Sequence, residues 1–179
     1  SRIHLDPAPP AAQAAVWRGR RSNAMTTVSL RPLRPFWEDD GLPAWMWGDG
    51  LVQNVMPVPD EQTGEITRLI VWMTDAVAAA ADRMPAQARM AWVIAALEAL
   101  RPSCRGALVP LITRSWGTDP LADGAFSEIG AGAVAETLRW NNVALGRIHF
   151  AGEHVVLDVA GMEAAVQSGE RAAAAILAG

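Results

Sequence analysis

The densest run of chemistry-bearing residues lies between Arg147 and Arg171. Arg147-Ile-His-Phe-Ala-Gly-Glu-His154 alternates apolar and polar side chains, a pattern that predicts a buried strand. After a short link, Gly161-Met-Glu-Ala-Ala-Val-Gln-Ser-Gly-Glu-Arg171 has helical spacing, with Met162, Val166 and Gly169 one turn apart. A strand, a tight turn and a Gly-opened helix gather free backbone N–H groups and the positive helix end at one point. Such a point suits the anionic or electron-rich edge of a cofactor. The spacing alone is equally that of an ordinary strand-to-helix connection in an α/β domain.

Other chemistries have less support. His4, His149 and His154 are far apart and lack metal-ligand spacing, and no Ser–His–Asp set is visible. The net charge of −4 argues against a nucleic-acid partner. The sustained apolar stretch at residues 90–100 carries Glu98 and helical spacing, so it reads as a packed helix and not a membrane span. Residues 1–10 lack the basic start and apolar stretch of a secretory leader. Cys104 stands alone and suits a reducing compartment, so the expected location is cytoplasmic. All 15 cationic side chains are Arg, so no step can rely on a lysine of this chain. The Arg18-Gly-Arg-Arg21 cluster reads as a solvated turn.

The elements that must position these residues follow from periodicity. With 179 residues, 51% of them hydrophobic, the chain can bury one sizeable core. Residues 1–10 read as extended and 11–17 as a short helix. Residues 25–34 read as a strand in which Pro32 predicts an edge position or a bulge. Residues 45–47 and 52–58 read as strands around a Gly48-Asp-Gly50 turn, and 66–73 as a further strand. An Ala-rich helix is expected over 75–83. An amphipathic helix is expected over 85–100, with Met90, Val93, Ile94, Leu97 and Leu100 on one side. Residues 107–116 read as a strand, 130–140 as containing a helix, and 170 onward as the end of the last helix. Mixed strands and helices predict an α/β or α+β class.

The residues also resemble a known family. Arg147-Ile-His-Phe-Ala-Gly-Glu-His154 and the Met162-Glu-Ala-Ala-Val-Gln-Ser-Gly-Glu-Arg-Ala-Ala173 that follows closely resemble the C-terminal signature of the flavin-containing amine oxidases. Trp116-Gly-Thr-Asp-Pro120 with Gly124-Ala-Phe-Ser127 is similar to another segment of that family. Pro35-Phe-Trp37 resembles the strand end that opens its substrate domain, and Ile3-His-Leu-Asp-Pro7 with Pro9 and Pro10 resembles the segment before it. These matches are collinear over nearly the whole chain.

The resemblance implies an α+β substrate domain joined to the C-terminal part of a Rossmann-like FAD-binding domain. Residues 1–16 would end an FAD-domain segment, 17–117 would form a substrate-domain segment and 118–179 the C-terminal FAD-binding lobe. The chain has no Gly-x-Gly-x-x-Gly to hold a dinucleotide pyrophosphate, so it resembles only the C-terminal half of such an enzyme. The implied partners are an N-terminal half carrying that motif, a small hydrophobic amine, and a second copy of the complete enzyme. The implied reaction passes a hydride from a carbon next to an amine nitrogen to FAD. An L-amino-acid oxidase and a non-catalytic scaffold subunit are the alternatives. For the former, Arg21, Arg31 and Arg34 could meet a carboxylate, and nothing in the sequence singles one out.

Residue by residue, the resemblance gives Gly152 and Glu153 contact with FAD and places Gly161 and Met162 at the flavin's pyrimidine edge. Trp116 is placed near the isoalloxazine ring. Ala125 stands where covalently flavinylated members carry Cys, so FAD should be non-covalent. Phe126 stands where many members carry a cage Tyr and retains only the apolar wall. Thr27 stands where many members carry a Lys that holds a water near the flavin. Val159, Ala160 and Gly161 occupy the place of the second cage wall and supply no aromatic ring.

Overall fold

The computed structural model describes residues 3–122, 124–156, 159 and 161–178. Contacts divide the chain into a central unit, Ala24–Ala125, and a terminal unit, Ser1–Asn23 with Phe126–Gly179. The sequence expectation put divisions after residues 16 and 117.

The central unit is built on five antiparallel strands: β2 (Met25–Pro32), β3 (Met46–Trp47), β4 (Asn54–Pro59), β5 (Ile66–Thr74) and β6 (Leu108–Ser115). Their order is β3-β4-β5-β2-β6. The period-2 alternation of β2 and β5 sends one set of side chains inward. Thr26, Val28 and Leu30 pair across strands with Met73, Val71 and Leu69, and all six are fully buried. Helices α3 (Asp75–Asp82) and α4 (Ala86–Leu100) cover this face with Ala78, Ala81, Val93 and Leu97. Met90 and Ile94 flank that contact as expected, but Leu100 projects outward and is 57% exposed. Phe36, in the short helix α2 (Phe36–Asp39), closes one end of the core.

Pro32 does not put β2 at an edge. The strand is flanked by β5 and β6, and its register against β6 shifts between Ser29 and Leu30. Pro32 is its last residue, beyond the last β5 pair, so the missing N–H costs no central ladder bond.

One ionic cluster lies under the sheet. Asp82 accepts hydrogen bonds from Thr26 Oγ1 at 2.6 Å and Ser115 Oγ at 2.7 Å, and faces Arg89 at 3.6 Å. Arg89 also donates to the Ala81 carbonyl and to Thr113 Oγ1, so both buried charges are paired and hydrogen-bonded.

The terminal unit contains α1 (Ala11–Gly19), the two-stranded ladder of β1 (Arg21–Ser22) with β7 (Ser127–Glu128), α5 (Val134–Trp140) and α6 (Gly161–Ala178). Polar side chains hold it together. Gln13 of α1 donates to the carbonyl of Val143 at 2.6 Å, Asn141 to that of His154 at 2.5 Å, and Trp17 meets Phe150 edge-on at 4.9 Å.

The strand expected over 147–154 does not form. Leu145 and Ile148 make an isolated bridge, and Glu153–Val155 is a single 3-10 turn. Alternation encodes which side chains face inward, but a strand also needs an adjacent edge, and among the described residues no neighbour offers one here. On α6 the buried positions are Ala164 and Ser168. Met162 and Val166, one turn apart as their spacing predicts, are 88% and 57% exposed.

Candidate cofactor and substrate sites

In the terminal unit the Gly152–Glu153 turn is held from two sides. Ser168 of α6 accepts the Gly152 N–H at 2.7 Å and donates to the Ala165 carbonyl, tying the turn to the helix. Gly152 has φ +142°, and a Cβ there would stand 2.5 Å from the His154 ring, so only glycine fits. Its N–H is already used, and what glycine contributes is a bare backbone surface. Glu153 is held from β7: its Oε1 accepts from Ser127 N at 3.3 Å and Ser127 Oγ at 3.1 Å.

Arg20, just past α1, joins this cluster by donating from Nη1 to Ser127 Oγ at 3.0 Å. The Ser127 hydroxyl thus accepts from a cation and donates to a carboxylate. Arg20 is partly buried, contrary to the solvated turn expected of Arg18–Arg21, because β1–β7 pairing carries Ser127 beneath it. Burial and the Arg20 charge hold His154 below the usual imidazole range, partly opposed by Glu153.

Phe126 begins the second segment of the terminal unit, 39% exposed, and its backbone N–H and C=O are held by Asn23. Gly161 opens α6 with φ +71°, a conformation that favours glycine. Met162 beside it projects outward. Of the expected open cage wall, Ala160 lies outside the described residues and Val159 is half-buried.

In the central unit the sheet face opposite the core carries the remaining candidates. Thr27 pairs directly with Trp72 on one side and Arg114 on the other. The row continues through Asn54 to Trp47, and directly paired residues share a face. Trp45 stacks on Trp47 with ring centroids 6.3 Å apart, while Met46 between them packs toward the core. Trp116 is 37% exposed, and the Arg114 guanidinium lies 5.2 Å from its ring centroid, while Arg114 also pairs with Asp119. The open face is therefore aromatic with a cation toward one end. Sequence reasoning placed Thr27 and Trp116 separately and missed Trp72, Asn54 and Arg114. Cross-strand register was the absent signal.

A flavin cofactor fits the terminal-unit cluster. A glycine surface that cannot carry a Cβ, a carboxylate acceptor and a guanidinium lie together, and Arg20 Nε and Nη2 are buried without a hydrogen-bond partner among the described residues. No group of three or more His, Cys, Asp or Glu that could hold a metal occurs among the described residues. Among the described residues no helix is long and apolar enough to cross a membrane.

The chain is 30% identical over 162 residues to the flavin-dependent L-tryptophan oxidase RebO of Lentzea aerocolonigenes, a match covering 86% of this chain and 34% of that protein. Wild-type putrescine oxidase bound to putrescine superimposes with a TM-score of 0.80 at 24% identity, covering 99% of this chain and 40% of that one. Cyclohexylamine oxidase from Brevibacterium oxydans gives a TM-score of 0.81 at 21% identity, covering 98% and 39%. The chain thus spans between a third and two-fifths of the length of these relatives. The family pattern matches residues 1–177, nearly the whole chain, and the protein belongs to the flavin containing amine oxidoreductases.

Proposed function

We propose that this chain is the C-terminal part of an FAD-dependent amine oxidase and needs an N-terminal half carrying the dinucleotide-binding motif. The observation that carries this reading is the Gly152–Glu153 turn, which α6 and β7 hold from opposite sides. When bound, FAD supplies the acceptor for a hydride leaving the carbon next to the amine nitrogen, and an imine remains. The residues of this chain bind and orient. Glu153 accepts a hydrogen bond from a cofactor hydroxyl, Gly152 lets the cofactor approach, and the first turn of α6 from Gly161 presents N–H groups to electron-rich atoms. Trp116 and Phe126 supply apolar walls, which favour a neutral, desolvated amine. Thr27 can hydrogen-bond a water without adding charge. With Ala125 at the flavin-linking position, FAD is held non-covalently.

A second reading, an amino-acid substrate, is favoured by Arg114. Arg21 lies in the terminal unit's small ladder, Arg31 pairs with Val109 near the far end of β2 and Arg34 pairs with Asp39, whereas Arg114, itself paired with Asp119, stands beside Thr27 on the aromatic face and could meet a carboxylate. The relative RebO is named for L-tryptophan. Comparing kcat/KM for an aromatic amine and the matching amino acid decides between the readings. If the amino acid is the substrate, Arg114→Gln raises its KM while leaving the amine unaffected.

The primary test is FAD titration of the complete apoenzyme with visible absorbance as the readout. Glu153→Ala should weaken FAD binding roughly ten- to a hundred-fold, the effect of losing a charge-assisted hydrogen bond in a desolvated site. Glu153→Gln should cost less. Equal dissociation constants for wild type and Glu153→Ala would leave this carboxylate only its support of Ser127. Acid precipitation should release the flavin into the supernatant, and the chain by itself should not retain FAD through gel filtration. A complete protein that binds no flavin would instead mark a non-catalytic scaffold.

A further inference from the structure

We infer that Arg20 is a further cofactor-binding residue, donating charge-assisted hydrogen bonds to an anionic oxygen of FAD. The inference rests on the amine-oxidase reading above. A guanidinium has five N–H donors in a fixed fork, and leaving them unpaired away from water is costly. Arg20 spends Nη1 on Ser127 Oγ at 3.0 Å, while Nε and Nη2 are buried with no partner among the described residues. Those two nitrogens lie on one edge of the fork, the edge that grips phosphate and carboxylate oxygens bidentately.

The charged groups around Arg20 do not explain it. Burial disfavours the charged guanidinium and Glu153 only partly offsets this, since its Oε1 is occupied by Ser127 and it forms no ion pair with Arg20. Glu136 lines the same cavity of about 280 Å³ and accepts from Trp140 Nε1. His154 is held toward its neutral form. Two buried donors of this partly buried cation are therefore left for an anion from outside the described residues. Because Ser127 couples it directly to Glu153, the bound cofactor is the anion at hand.

The test uses the complete enzyme stripped of FAD, with Arg20→Gln and Arg20→Lys. In Arg20→Gln the FAD dissociation constant should rise at least tenfold, and Arg20→Lys should recover part of it. The apoenzyme of Arg20→Gln should melt no lower than wild type, because an unpaired buried charge has been removed. A purely structural Arg20 would lower it. If the oxygen belongs to the diphosphate, affinity falls while the flavin potential is unchanged. If it belongs to the reduced ring, the two-electron potential falls by about 30 mV for each tenfold change. Unchanged affinity and potential in an enzyme that binds FAD would overturn the role of Arg20 while leaving the amine-oxidase reading intact. Failure of the wild type to bind FAD would overturn both.

Discussion

The two units solve the problem of burial in opposite ways. The central unit hides 15 hydrophobic residues in one cluster beneath its sheet. In the terminal unit, the buried hydrophobic residues among those described are Leu145, Val155 and Ala164, outnumbered by buried Gln13, Thr137, Asn141 and Ser168. Its large apolar side chains face outward, including Leu138, Met162, Val166 and Leu177. Hydrophobic burial is the main favourable term in folding, and hydrogen bonds add less net stability. The central unit therefore holds its own shape, whereas the terminal unit relies on specific polar contacts and leaves apolar surface uncovered. The proposed cofactor cluster sits in the less self-sufficient unit, as expected of a lobe that the proposed N-terminal half completes.

Hydrogen exchange gives the widest test of this contrast. Amides of β2 and β5 should exchange on the order of a thousandfold more slowly than those of α5 and α6, because local opening free energies range from near zero to the global value. Equal protection would remove the distinction. The next effect is Asp82→Ala, which leaves the Arg89 charge buried without its carboxylate. It should destabilise the central unit by about 3–5 kcal/mol in chemical denaturation. A loss below about 1 kcal/mol would mean that the cluster is hydrated and contributes as a surface pair does.

Paired truncations sharpen the comparison. Leu97→Ala should cost about 2–5 kcal/mol in the central unit. Val155→Ala should cost about 1.5 kcal/mol, from two buried carbons at about 0.8 each, and should act on the terminal unit alone. A calorimetric trace in which Val155→Ala shifts every transition equally would show the units to be one cooperative body.

The smallest effect is that of pH. His154 has a folded-state pKa below its unfolded value of about 6.5, so folding favours the neutral ring. Its contribution is present above about pH 6.5 and is lost as pH falls through that value toward the lowered one. In the central unit, Asp60 and Asp119 are held below the usual carboxylate range by the backbone N–H groups of their own turns. Their contribution is present above about pH 4 and is lost only below it. Protection factors in the terminal unit, corrected for the pH dependence of intrinsic exchange, should therefore fall slightly between pH 7 and 5.5 while those of the central sheet are unmoved. The opposite order would contradict the assignment of His154.

Much of the central unit was legible because its strands carry their own pattern. Val28, Leu30, Leu69, Val71 and Met73 alternate with more polar or more exposed neighbours, and α4 repeats its apolar positions at helical spacing. The terminal unit was less legible. The alternation in Arg147–His154 is real, but alternation specifies facing and not pairing, and among the described residues no strand lies alongside. Arg20 read as solvated because its sequence neighbours are polar, while its environment is set by Ser127, 107 positions away.

The sequence by itself determined the family, the helix opening at Gly161, the glycine at 152 and the absence of any lysine, since these depend on residue identity and local spacing. Tertiary structure alone decided which side chains meet. It aligned Trp47, Asn54, Trp72, Thr27 and Arg114 across one open face, seated Glu153 on Ser127, and buried two nitrogens of Arg20 without a partner. The physical reason is that these relations arise from strand register and from contacts between distant segments, and no local pattern of charge or hydrophobicity encodes them.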